Sequence, residues 1–283
     1  MSLLEKQFSA FFNSAGANKI GTLGNHFQVQ LQTPLQIPGS CVYATLEVVS
    51  AKVWNTSPNI SEGIGNNHLV FTFLGNEYDL IFPDGLWGTK EFNLYLEYFF
   101  LHHGLKETVG TEIENVLFVV VENDATQRVA IQFNVLGVVI DFTKPNSCID
   151  VLGFYTTHNN DVFTSDLKIT TTIKGDSITA PNEARYNRVM NYFIRSNLVS
   201  DGIPVNNVST GIIAEVPIDV KVGSLINFIP TNPMRSDCSD LIGCPKTVVS
   251  FTLVDQIGRD VSTSGEEWSL AIIFRYQSFE NQK

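Results

Sequence analysis

The chain is short of positive charge: 18 Lys and Arg stand against 29 Asp and Glu, for a formal net charge of −11. Coating nucleic acid depends on clustered cations that displace counterions from phosphate, so genome packaging and direct specific nucleic-acid binding are excluded as its main task. The closest approach to a basic patch is Arg185, Arg188 and Arg195 around Tyr186 and Tyr192. Glu183 dilutes it, and it reads as a surface or interface cluster. No apolar run reaches the roughly 18 residues of a membrane span, so no transmembrane segment is expected. The four cysteines, at 41, 148, 238 and 244, are scattered, and residues 1–18 lack a basic start followed by an unbroken apolar core. Reduced thiols and synthesis in the cytoplasm are the expectation. On that basis the sequons headed by Asn55, Asn59 and Asn207 are chance matches.

The patterns of catalysis are missing too. There is no G-x-S-x-G elbow, and no cysteine sits in a catalytic signature. Gly63-Ile64-Gly65 breaks off at His68, where a dinucleotide loop needs another small residue, and it follows no strand. Glu266 and Glu267 are neighbours on an extended stretch and point to opposite faces, unlike a glycosidase pair. Cys238 and Cys244, with Asp237 and Asp240 between and beside them, form the best candidate metal cluster. Their spacing is long for zinc and no histidine lies near. His102 and His103 cannot share a helix face and suit the negative end of a helix dipole. No catalytic residue, cofactor or metal is therefore expected, and the protein is read as a non-enzyme.

What the chain does contain is strand pattern. Hydrophobic residues make up 43% and the aromatics include 20 Phe, enough for a substantial core without metals or disulfides. Phe27, Val29 and Leu31 alternate with polar residues, and residues 41–54 extend long enough for a full strand before the turn-rich stretch 55–67. Residues 69–74 and 78–82 read as a hairpin around Gly75-Asn76. Thr89 is placed to cap a helix over 90–103 that Gly104 can end. Phe92, Tyr95, Leu96, Phe99 and Phe100 fall on one helical face, and Leu94, Tyr98 and Leu101 widen it until a sheet is needed against most of the circumference. Strands at 116–122, 128–133 and 135–142 follow, and a β-branched run at 168–173 can return to the first sheet. Residues 182–198 fit a helix and a strand equally well on periodicity. Residues 1–25 carry Phe8, Phe11 and Phe12 ahead of a small-residue stretch, which fits a short helix, a frayed terminus or an arm that docks on a neighbouring subunit.

The end of the chain holds the clearest signal. Val249, Phe251 and Leu253 share one face of a run, and Trp268, Leu270, Ile272, Phe274 and Tyr276 share one face of the next. Between them lie VDQIGRD (254–260) and GEEW (265–268), which reads as a strand pair joined by a structured loop. Together with SNLVSDG (196–202) and VPIDVKVGSLINFIPTNP (216–233), this region resembles the penton, or vertex minor capsid, proteins of virophages and Polinton-like double-stranded DNA viruses. The resemblance is most specific over residues 191–276 and favours a strand from about Met190.

With strands near 27, 43, 167, 190, 212, 225, 248 and 269, the count is the eight of a jelly roll. The expected fold is all-β: a single jelly-roll sandwich of eight strands with an inserted α+β domain carrying one amphipathic helix. The expected domains are an arm at 1–25, the jelly roll at 26–62 and 161–277, the insertion at 63–160 and a tail at 278–283. The resemblance implies a homo-pentamer at the capsid vertex of the virion, in contact with the major capsid protein, and an insertion facing a host surface receptor. One roll suits the vertex better than the major-capsid role, which in this lineage normally takes two. Candidate interface residues are Phe8, Phe11, Phe12, Arg185, Arg188 and Arg195. A β-sandwich module that binds a receptor or carbohydrate, with Trp54 or Trp87 as a stacking platform, is the alternative.

Overall fold

The computed structural model describes the whole chain except residues 1–2, 106, 110–111, 115, 124, 160–161, 187, 201, 206–207 and 280–283. It divides into two compact units, Met1–Ser57 with Val189–Lys283, and Pro58–Arg188. In chain order the first unit begins with β1 (Leu3–Asn13), β2 (Asn18–Ile20), β3 (His26–Leu35) and β4 (Cys41–Trp54). The second holds β5 (His68–Phe73), β6 (Asn76–Ile81), helix α1 (Thr89–His102), the short β7 (Glu107–Val109) and β8 (Glu112–Glu114), β9 (Phe118–Asn123), β10 (Arg128–Phe133) and β11 (Val139–Asp141). It continues through α2 (Ile149–Leu152), β12 (Thr157–Asn159), β13 (Val162–Thr164), β14 (Lys168–Thr170) and β15 (Ser177–Thr179). The first unit resumes with β16 (Asn191–Ser196), β17 (Ile203–Val205), β18 (Val208–Pro217), β19 (Leu225–Phe228), β20 (Arg235–Asp237), β21 (Lys246–Val254) and β22 (Ser269–Phe279).

The first unit is two antiparallel sheets. One runs β1-β22-β4-β19, with β20 also on β4; the other runs β17-β18-β16-β21-β3-β2. Period-two alternation dictates this, since each strand turns one apolar row inward. Phe27, Ala44, Leu46, Ile194, Val249, Phe251, Leu253, Leu270, Ile272 and Phe274 all lie in one core. A β-bulge on β4, where Ala271 pairs with Ser50 but Ile272 with Val48, keeps both Val48 and Ala51 buried. Four rings join the two sheets: Phe12 lies 4.8 Å from Phe251, Phe251 5.4 Å from Phe27, and Phe27 4.8 Å from Trp268.

Three expectations need correcting here. The runs at 249–253 and 268–276 are not paired with each other: β21 bonds to β3 and β16, β22 to β1 and β4, so they face across the core. Residues 3–13 are neither helix nor free arm but a strand of eleven residues along β22, because Phe8, Ala10 and Phe12 also alternate and meet Phe274, Ile272 and Leu270. The run near 167 does not join the first sheets. Its β14 pairs with β11, because Ile169 finds the second unit's core. Residues 182–198 resolve as strand from Asn191.

The second unit packs a four-stranded sheet, β14-β11-β5-β6, and a three-stranded one, β15-β10-β9, around α1. Phe71 of β5, Phe100 of α1 and Phe118 of β9 meet edge to face at 5.2–5.7 Å, a geometry that adds to their area burial. Only Phe92, Leu96 and Phe100 of the helix are buried, while Leu94, Tyr98 and Leu101 are exposed, so the apolar stripe is narrower than its composition implies. Thr89 is inside the helix and not its cap. Gly88 takes that place without a side-chain bond, and the Thr89 hydroxyl is engaged instead with Glu122 at 2.8 Å and the Tyr186 hydroxyl at 3.1 Å. Gly104, at φ +64°, ends the helix, and the Leu105 amide donates back to the Phe100 carbonyl. The hairpin turn falls one residue earlier than expected, on Leu74-Gly75, both at positive φ.

One helix side chain acts as a missing strand. Asn93 donates from Nδ2 to the Val120 carbonyl at 2.7 Å and accepts the Val120 amide on Oδ1 at 2.8 Å, closing the outer edge of β9. Asn93→Ala should lower the unfolding free energy by about 1–3 kcal/mol, the cost of leaving buried backbone groups unpaired. Asn93→Asp should do no better, because a carboxylate cannot donate. Denaturant melts that leave either variant at wild-type stability would contradict this role.

Candidate interaction surfaces

The candidate interface residues separate once placed. Phe8 stacks on Phe274 at 4.8 Å and Phe12 is buried, so both belong to the core of the first unit. Phe11, on the other face of the same strand, is 67% exposed. In the second unit Arg185 donates its amide to the Val151 carbonyl and lays its guanidinium 4.8 Å over the Phe163 ring. Arg188 donates to Asp150 at 3.1 Å, and the Asn66 amide reaches the same carboxylate at 3.1 and 3.2 Å. Asp150 is buried, so this is an internal polar lock. Arg195, on β16 of the first unit, points toward the 255–260 turn: a Cβ on Gly258 would lie 3.0 Å from its Nη2. Gly258, at φ +85°, answers both demands of that turn, the backbone angle and the room for the guanidinium.

The polar signature of the terminal loop is therefore structural. Asp255 is buried and accepts the amides of Ile257 at 3.0 Å and Arg259 at 2.9 Å, and the Arg259 Nε at 2.7 Å. Asn25 donates to the Leu253 carbonyl and to Asp260, both at 3.0 Å, tying the loop back to the start of β3. Trp87 donates its indole N–H to the Pro83 carbonyl at 3.0 Å and sits between Phe82 and Tyr95, which makes it an anchor of the second unit's fold.

Across the outer face of the sheet β1-β22-β4 runs a ladder that sequence reading missed. Arg275 of β22 meets Gln7 of β1 at 2.5 Å and Glu5 at 3.7 Å, and donates from Nε to Glu47 of β4 at 3.1 Å. Arg235 of β20 donates to the same Glu47 oxygen at 2.7 Å. Glu47 is covered, with 6% of its side chain exposed, whereas Arg235 is 64% exposed. No spacing rule links residues 5, 47, 235 and 275, because only strand register brings them together.

Burial pushes the Cys238 thiol up to about 12, with the Asp237 charge adding to it, and it also raises Cys148 and Cys41. Cys244 is exposed. Among the described residues no three His, Cys, Asp or Glu side chains converge to hold a metal ion. Asn55 and Asn59 are buried, and their amides donate to the carbonyls of Val220, and of Trp87 and Tyr186, leaving no room for a glycan. Asn207 lies outside the described residues, as does most of the expected tail. No helix is long and apolar enough to cross a membrane among the described residues.

A cleft with a volume of about 220 Å³ opens in the first unit. It is bounded by Ile213, Glu215 and Pro217 of β18 and by Phe228, Pro230 and Met234 on and after β19. Comparison with known proteins adds little: no family model and no curated protein matches the sequence. A search of solved structures matches the crystal structure of the selenomethionine-labelled penton protein of mavirus, covering 96% of this chain and 99% of that one, at 11% identity and a TM-score of 0.49. A likeness at that level assigns neither fold nor function by itself.

Two measurements check this picture. Glu47→Ala should destabilise the first unit by about 1.5–3 kcal/mol, since it leaves two arginines side by side without their shared acceptor; an unchanged melting curve would count against the ladder. A thiol reagent added to the native protein should modify Cys244 alone, with Cys41, Cys148 and Cys238 reacting only on unfolding. Rapid reaction of more than one thiol would contradict the burial described.

Proposed function

We propose that this chain is a structural virion protein, a penton subunit of a virophage or Polinton-like virus, whose first unit is a single jelly roll that assembles in fives at the capsid vertex. The observation that carries the reading is strand order. The two sheets contain the orders β1-β22-β4-β19 and β3-β21-β16-β18, in which every neighbouring pair except β16-β18 joins distant parts of the chain. Labelled B to I along the sequence, with β1 as B, these are the B-I-D-G and C-H-E-F sheets of a jelly roll. Fold alone does not give function. The sequence adds the second support: the stretches that resemble penton proteins lie on and between β16, β18, β19, β21 and β22, the elements that build these sheets.

The remaining features are those of a building block. Charged residues are only 17% of the chain, and apolar side chains such as Phe11, Ile229 and Met234 stand exposed on the first unit. The proposed partners are four more copies of this chain and the surrounding major capsid protein. The second unit, inserted between β4 and β16, is the part we assign to host attachment. Its exposed Leu94, Tyr98 and Leu101 offer an apolar surface for a receptor. The roles that strand geometry and turn chemistry give to Asp255, Arg259 and Glu47 are non-catalytic.

Native mass spectrometry of the purified full chain tests the reading. A species of five times 31.4 kDa is expected. A monodisperse monomer that never joins capsid particles would overturn it, and a trimer would point to a major-capsid or fibre role instead.

A further inference from the structure

We infer that the second unit is an exchangeable module: the first unit folds and assembles without it, and another folded segment whose ends lie close together can stand in its place. The assembly half of this rests on the penton reading above; the folding half does not. Because host attachment is assigned to the second unit, exchanging it would change what the particle binds and leave the ring intact.

The chain changes sides abruptly at both junctions. On the way out, Asn55 is bonded within the first unit: its amide donates to the Ser224 carbonyl at 3.0 Å, its carbonyl accepts the Gly223 amide at 2.8 Å, and its side chain donates to the Val220 carbonyl at 3.1 Å. Thr56 is held there too, its hydroxyl on the Thr263 carbonyl at 2.9 Å and its own carbonyl accepting the Ser264 hydroxyl at 3.0 Å. Asn59, three residues on, is bonded within the second unit. Its backbone amide donates to the Gly85 carbonyl at 3.1 Å, and its side-chain amide to the carbonyls of Trp87 at 2.8 Å and Tyr186 at 2.9 Å. On the return, Ala184 and Arg185 donate their amides to the Gln127 and Val151 carbonyls at 2.8 and 3.0 Å, and the Arg188 side chain reaches Asp150 at 3.1 Å. Two residues later Met190 is back in the first unit, its amide on Gln256 Oε1 at 3.3 Å and its carbonyl accepting the Ile218 amide at 3.0 Å.

The bond from Asn59 to Tyr186 fastens the entry of the second unit to its exit. Its ends are therefore joined inside it and need nothing from the first unit to stay together. In the first unit, the strands on either side of the insertion are already paired along both edges within that unit, β4 by β22 and β19, β16 by β18 and β21. Taking the insertion away uncovers no ladder edge of either strand. Among the described residues the two cores share no side chain, so removing one leaves no cavity in the other. A short linker in place of the insertion also closes the gap at a lower cost in loop entropy than a long disordered one.

The test starts with amide hydrogen exchange of the full chain. Phe100→Ala, in the second core, should speed exchange of the slowest amides in residues 58–188 by at least about a hundredfold and leave those of 1–57 and 189–279 unchanged. Ile272→Ala, in the first core, should do the reverse. The second arm replaces residues 58–188 with a linker of about ten Gly and Ser residues. The shortened chain should keep a strand-type circular dichroism spectrum and form the same five-copy species in native mass spectrometry as the full chain. Faster exchange in both units from either substitution, or a shortened chain that does not fold, would overturn the module. A shortened chain that folds but stays monomeric while the full chain forms pentamers would overturn its dispensability for assembly and leave the penton reading standing. A full chain that forms no pentamer would overturn the assembly half together with the penton reading, while the folding half stands or falls with the exchange data.

Discussion

The last strand, β22, is hydrogen-bonded along both of its edges, and the first unit depends on it. On one side it pairs with β1 from Leu3↔Phe279 to Asn13↔Ser269; on the other it pairs with β4 from Ser269↔Lys52 to Ser278↔Cys41. Its inward row, Leu270, Ile272 and Phe274, is fully buried, and Trp268 just ahead of it anchors the ring cluster that reaches the second sheet. The outward row carries Arg275, which links β1 to β4 through Gln7 and Glu47. One strand thus sets the register of its neighbours, the depth of the core and the polar ladder outside it. Because it joins the two ends of the chain, its contacts are among the least local in the molecule, and loop-closure entropy must be met before they form.

The second unit escapes that dependence. Its core of Leu69, Phe71, Phe92, Leu96, Phe100, Phe118 and Ile131 is drawn wholly from residues 58–188. Its polar lock, Asn66 and Arg188 on Asp150, uses a residue near each end of that span. A segment with its own core and its own closing contact can interrupt β4 and β16 without disturbing the sheets they belong to.

Much of this was legible in the residues. Alternation placed Phe27, Val249, Phe251, Leu270, Ile272 and Phe274 inside, as the structure does, because a strand's two-residue period leaves no other face for a row of large apolar side chains. Periodicity says which face is buried but not which strand lies alongside. That is why β21 and β22 read as a pair although they sit in different sheets, and why the run at 168–173 reads as a return to the first sheet although its Ile169 lies in the second unit's core. The strand at 3–13 carried its signal in Phe8, Ala10 and Phe12, masked by the small residues that follow. Of the surface candidates, aromatic and basic residues looked alike in sequence. Register alone separates Phe11, left outside, from Phe8 and Phe12 beside it, and it alone assembles Glu5, Glu47, Arg235 and Arg275.

The same register that buries β22 leaves β1 at the border of its sheet, with no strand on its other side among the described residues. Hydrogen exchange of the full chain, read by mass spectrometry peptide by peptide, tests that central pairing most directly. Residues 269–279 should exchange among the slowest in the first unit, with residues 3–13 protected on the side that faces them. Exchange of 269–279 at the rate of the connecting loops would contradict it.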